Sequence, residues 1–97
     1  MSDDRGTLLG WLERDRARHI EFLSRFIQAK SPNPPGDTRE AVAHIRAFLE
    51  SEGLAYRIID PHPEYPNVVA SFEGAAPGRH LVLNGHIDVF PVGEHET

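Results

Sequence analysis

The residues best placed to do chemistry lie late in the chain, in Leu81-Val82-Leu83-Asn84-Gly85-His86-Ile87-Asp88-Val89-Phe90-Pro91. An apolar run delivers a histidine and an aspartate two positions apart and then meets proline. On extended backbone, residues i and i+2 project to the same side, so His86 and Asp88 share one face while Ile87 points away. A metal-binding imidazole needs this arrangement: one ring nitrogen binds the ion, and a carboxylate holds the other, fixing the tautomer and raising basicity. The same residues admit a second reading. Asn84-Gly85 between alternating apolar residues is a strong hairpin signal, and a two-residue turn there would pair Leu81 and Leu83 with Ile87 and Val89. His86 would then be a surface strand residue. Zinc takes at least three protein ligands, so the triplet alone does not choose between them.

Other chemistry is thin. The chain has no cysteine, so disulfides and thiolate metal sites are excluded and any metal is held by nitrogen and oxygen. His19 and His44 fall on predicted helices at the polar edge, His62 in a proline-rich loop and His80 at the start of a strand; each reads as a surface histidine. Glu94, His95 and Glu96 are close enough in sequence to complete an improvised site with His86, but they read as solvated charges. Asp3, Asp4, Glu13, Asp15, Glu21, Glu50 and Glu52 read as helix-end or solvated charges. No GxSxG elbow and no Walker-type Gly-Lys-Ser is present, which removes the serine-hydrolase and nucleotide-binding readings. A formal net charge of -5 with scattered Lys and Arg argues against a nucleic-acid surface. The opening Met1-Ser2-Asp3-Asp4-Arg5 lacks an apolar signal region, and no run has the length of a membrane span. A soluble, cytoplasmic protein is expected.

The elements that must position His86 and Asp88 follow from periodicity. Leu8, Leu9, Leu12, Ile20, Leu23, Phe26 and Ile27 recur near helical spacing and predict one amphipathic helix from about Thr7 to Ala29, weakest at Gly6 and Gly10. Trp11, Phe22 and Phe26 read as its core or packing aromatics. Ser31-Pro32-Asn33-Pro34-Pro35-Gly36 then breaks any regular element. Asp37 and Glu40 have the spacing of a capping box. A second helix runs from Thr38 to Glu52 on the stripe Val42, Ile45, Phe48 and Leu49, and Gly53 is its C′ residue. The period then changes to two. Strands are predicted at Leu54–Ile59, Asn67–Phe72 and Arg79–Asn84, separated by the Pro61, Pro63 and Pro66 loop and by a turn at Gly74 to Gly78. Ninety-seven residues make one domain at most, of the α/β class.

Leu81 to Pro91 also resembles the Gly-His-x-Asp-Val-x-Pro signature of the zinc amidohydrolase and exopeptidase family. That family includes acetylornithine deacetylase, succinyl-diaminopimelate desuccinylase, aminoacylase, and glutamate and dipeptide carboxypeptidases (peptidase family M-twenty). The N-terminal helix, the Ser31 to Asp37 loop, the helix closing in Leu49-Glu50-Ser51-Glu52-Gly53-Leu54 and the strand opening Asn67-Val68-Val69-Ala70 come in that family's order, so the resemblance covers essentially residues 1–97. It implies a role for His86 as ligand to one of two co-catalytic zinc ions, with cobalt or manganese as substitutes. It implies that Asp88 is the catalytic-site carboxylate that orients the imidazole. The fold implied is part of a zinc-exopeptidase-like α/β/α catalytic domain: two N-terminal helices, then strands of a mixed sheet in which a further strand lies between the second and third seen here. The bridging Asp, the Glu-Glu pair, a further acidic ligand and a distant His of that family are not in this chain. The expectation is therefore the N-terminal portion of a hydrolase that cleaves amide bonds of N-acyl amino acids or small peptides. It should be inactive by itself, with neither nucleic acid nor membrane as partner, and a homodimeric parent is compatible with it. The competing expectation is a small non-catalytic α/β module that binds a protein partner through its helical layer.

Overall fold

Among the described residues three helices precede one strand pair: α1 spans Asp4–Arg14, α2 Arg16–Gln28, α3 Arg39–Ser51, β1 Tyr56–Ile59 and β2 Asn67–Ala70. The computed structural model describes residues 3–93, and Glu94, His95 and Glu96, weighed above as extra ligands, lie outside them.

The single N-terminal helix expected from the sequence is two. The interruption falls at Asp15, while Gly6 and Gly10 are both helical. Aspartate is a poor interior helix residue because its short carboxylate competes for local polar groups. Here it turns to Arg14, which donates from Nε and Nη2 at 3.1 and 2.9 Å. Helical backbone bonding continues across the break, where the Asp15 amide donates to Trp11 O and the His19 amide to Asp15 O. At the other end of α1, Asp3 caps the helix by accepting from the Gly6 amide at 3.0 Å.

Packing is concentrated on α3. Ala41 and Val42 are 1% and 4% exposed, and Leu49, in the last turn of the helix, is also buried. Phe22 from α2 meets Phe48 edge-on at 4.9 Å and lies 4.8 Å from the His44 ring. His44 is therefore no surface residue: it is half-buried, with Nε2 3.2 Å from Phe22 O. Trp11, by contrast, was expected to pack and is exposed. A salt bridge from Arg18 to Glu52, 2.7 Å, adds a second tie, between α2 and the C-cap residue of α3. It is solvent-exposed, so its worth is below about 1 kcal/mol.

Helix α3 closes as its sequence predicts. Gly53 has φ of +68°, its amide donates to Glu50 O, and the Leu54 amide donates to Leu49 O. This is the paired bonding of a Schellman motif, for which a left-handed C′ residue is required. The start of α3 departs from the expected capping box. Thr38 is the N-cap and makes no side-chain cap bond. Asp37 instead accepts from the Arg39 amide and side chain, and Glu40 reaches back to the Lys30 amide at 3.0 Å.

Strands β1 and β2 run antiparallel in the register Tyr56↔Ala70 to Ile59↔Asn67. Tyr56, Ile58 and Val68 are half-buried and the intervening residues exposed, the alternation of a sheet with one covered face. Among the described residues the architecture is thus a mixed α/β arrangement of three helices and a two-stranded sheet. The strand expected at Arg79–Asn84 is not formed: residues 79–84 are in no ladder among the described residues, and Leu83 is 86% exposed. A strand exists only where a neighbour accepts its amides, and between β2 and the residues that follow this run lies an open groove. That groove has a volume of about 930 Å3 and is lined by β2, by residues 84–88 and by Ile45 and Leu49 of α3.

Candidate functional site

The proline-rich loop after α2 turns on itself, with the Gly36 amide donating to Pro32 O at 2.8 Å, and Gly36 takes a φ of +85°. Its residues Ser31 to Asn33 then run beside Ile87 to Val89. Val89 N donates to Ser31 O at 3.0 Å and Asn33 N to Val89 O at 2.8 Å, a parallel bridge centred on Pro32 and Val89. Proline is tolerated in such a pairing because the bonds are made by its neighbours' groups, not by the missing N–H of Pro32. The buried Ser31 hydroxyl adds a third tie, donating to Ile87 O at 2.6 Å.

This pairing excludes the hairpin reading of the region. Residues 81–83 do not fold back on 87–89: the partner of Val89 is the loop before α3, and no hairpin forms at Asn84-Gly85. The 86–88 segment brings both side chains together. His86 Nδ1 lies 2.9 Å from Asp88 O and 3.1 Å from Asp88 Oδ1. Both are acceptors, so Nδ1 carries the proton in the neutral ring and Nε2 keeps its lone pair. Asp88 in turn accepts from Asn33 Nδ2 through Oδ2 at 3.0 Å. Asn33 foremost, and His86 after it, hold the Asp88 carboxyl below the ordinary value of 3.8, so it is ionised and acts purely as an acceptor at neutral pH.

A histidine with its Nδ1 engaged in this way fits the part of a metal ligand binding through Nε2. The rest of a coordination sphere is another matter. Among the described residues no group of three or more His, Cys, Asp or Glu stands close enough to hold an ion. His19, His62 and His80 are exposed and distant in role: His62, for instance, accepts from the Glu64 amide and stacks on Tyr65 at 4.4 Å.

Two known proteins are similar to this chain. One is the N-formyl-4-amino-5-aminomethyl-2-methylpyrimidine deformylase of Halalkalibacterium halodurans, 34% identical over 92 residues, which cover 92% of this chain and 22% of that protein. The other is the deformylase of the same name from Bacillus subtilis, 31% identical over 88 residues, 88% of this chain and 21% of that protein. The chain spans about a fifth of the length of these curated relatives. No protein-family model matches it, and no solved structure does.

The sequence pairs His86 with Asp88, whereas Asn33 and Ser31 figure there only within the Ser31 to Asp37 loop, with no role for either side chain. They lie more than fifty positions away in the chain. The one local signal was an amide and a hydroxyl set among prolines whose rigidity holds them in place.

Proposed function

We propose that this chain carries one corner of a metal-dependent hydrolase acting on an amide bond of a small N-acyl compound. His86 supplies one metal ligand through Nε2. Asp88 accepts the Nδ1 proton, keeps the ring in the metal-binding tautomer and strengthens its donor nitrogen. The observation that carries the reading is this pair's geometry, on a segment similar to enzymes named as deformylases of an N-formyl compound. Zinc, or cobalt or manganese in the same nitrogen and oxygen environment, would polarise the amide carbonyl and lower the pKa of bound water. A catalytic zinc takes three protein donors, so the remaining ligands and the general base come from polypeptide other than the described residues. The family resembled by Gly85-His86-Ile87-Asp88-Val89 places two such ions in its complete site, and that count is part of the proposal.

The acyl group removed is formyl in the two relatives and an N-acyl amino acid or peptide in the resembled family, so both classes belong in the test. A polypeptide carrying this segment over the length of its relatives is assayed against N-formyl amines and N-acyl amino acids before and after chelation. Chelator-sensitive hydrolysis of either class, lost in His86→Ala, supports the proposal. Hydrolysis indifferent to both chelator and His86→Ala refutes it.

A further inference from the structure

We infer that Asn33 is a positioning residue for the His86 and Asp88 pair: its side-chain amide holds the Asp88 carboxylate in the one orientation that leaves an oxygen facing the imidazole. The inference builds on the proposed metal-ligand role of His86, but it is carried by geometry that needs no metal. Asn33 Nδ2 donates to Asp88 Oδ2 at 3.0 Å, and the other oxygen, Oδ1, stands 3.1 Å from His86 Nδ1. The two oxygens are thus engaged from opposite ends, and an aspartate held at both oxygens has little freedom about its Cα–Cβ bond.

Asn33 is itself fixed. Its amide is bonded to Val89 O, which sets its backbone one residue beyond Asp88 on the paired segment. Gly36 closes over its side chain so tightly that a Cβ on that glycine would lie 3.3 Å from Asn33 Cγ. Asparagine, unlike aspartate, offers an N–H donor here, and a donor is what an ionised carboxylate requires. The Ser31 hydroxyl, on the same strand of the bridge, donates to the Ile87 carbonyl and so staples the backbone without touching the carboxylate. These two neighbours separate positioning from mere support.

The test is solution NMR of the 97-residue chain. Asp88 χ1 is measured from three-bond couplings, the neutral His86 tautomer from two-bond nitrogen–proton correlations, and the bridge from the amide signals of Asn33 and Val89. In the native chain Asp88 should occupy one rotamer and His86 should be mainly Nδ1-protonated. Asn33→Ala should leave the bridge amides in place and average the Asp88 rotamer, with only a partial fall in the Nδ1-protonated fraction because the Asp88 carbonyl, 2.9 Å from Nδ1, still accepts from the ring. Ser31→Ala should loosen the bridge while Asp88 keeps its rotamer. If Asn33→Ala does not fold, the isosteric Asn33→Asp, which sets a carboxylate against a carboxylate, should drive Asp88 into another rotamer. The inference is overturned if Asp88 is already averaged in the native chain, if it keeps its rotamer in the folded Asn33 variant, or if Ser31→Ala disorders it equally. None of these readouts involves metal or hydrolysis, so a negative result here is distinguishable from failure of the chelation assay.

Discussion

The Asp37 and Arg39 pair shows how one side chain can replace another's expected task. Asp37 was expected to cap α3, and it is instead held in a two-pronged contact with the Arg39 guanidinium, 2.6 Å at the shortest. Arg39 pulls the Asp37 carboxyl from 3.8 down to about 2, its side-chain hydrogen bonds first and its backbone amide next. A carboxyl lowered in the folded state contributes stability above its unfolded value, and the contribution fades as pH falls towards about 2. Carbon-13 titration of Asp37 should show a midpoint about 2, and Arg39→Ala should raise it while leaving it below the ordinary carboxylate value, because the backbone amide of residue 39 still donates. At the candidate site the corresponding test is functional. In a polypeptide of the relatives' length, Asp88→Asn should retain metal but lose about 10- to 100-fold in affinity or turnover, the usual cost of removing the group that orients a ligand. Equal metal affinity and turnover in the variant would remove Asp88 from the site. The His86 and Asp88 partnership was legible because it is local and follows from the two-residue period of extended chain. Asn33 was not, because nothing in its neighbours says which distant segment the loop will pair with.

Elements were legible wherever the chain's own hydrogen bonds complete them. Helix α3 needs only its stripe and its glycine, and the sequence placed both; β1 and β2 find each other across one proline-rich loop and differ from expectation only at their ends. The N-terminal helix was harder. Its break at Asp15 depends on a contact with the adjacent Arg14 that periodicity does not register. The run at 79–84 was misread for a different reason: its composition suits a strand, but strand formation is a property of two segments, and among the described residues no second one reaches it. One substitution isolates the purely local part of this account. Gly53 has open space where a Cβ would go, so Gly53→Ala meets no clash and only the positive φ resists it. The cost should be about 1 kcal/mol, read from denaturant midpoints, and Gly53→Asn should cost less, since asparagine tolerates the left-handed region better. Equal costs for the two would show that α3 does not end in this motif in solution.

Across the described residues the balance of burial is unusual. Three hydrophobic residues are buried, while Leu81, Val82, Leu83, Phe90 and Val92 stand more than 70% exposed, Phe90 reaching 90%, and the α1 leucines are half open. Apolar surface of this extent is what a soluble domain normally hides, and a core this small supplies only a few kcal/mol. The 97-residue chain should therefore bind a hydrophobic dye and associate at high concentration. Two substitutions locate the cause. Leu49→Ala removes a buried side chain at a cost of about 2 to 4 kcal/mol, comparable to the whole stability expected, and should abolish any cooperative unfolding transition. Leu83→Ser alters a side chain that touches little, so the thermal midpoint should stay where it was while dye binding and association fall. If Leu83→Ser instead destabilises the chain as much as Leu49→Ala, the 81–83 run is packed in solution, and the groove between β2 and residues 84–88 is closed by this chain's own residues.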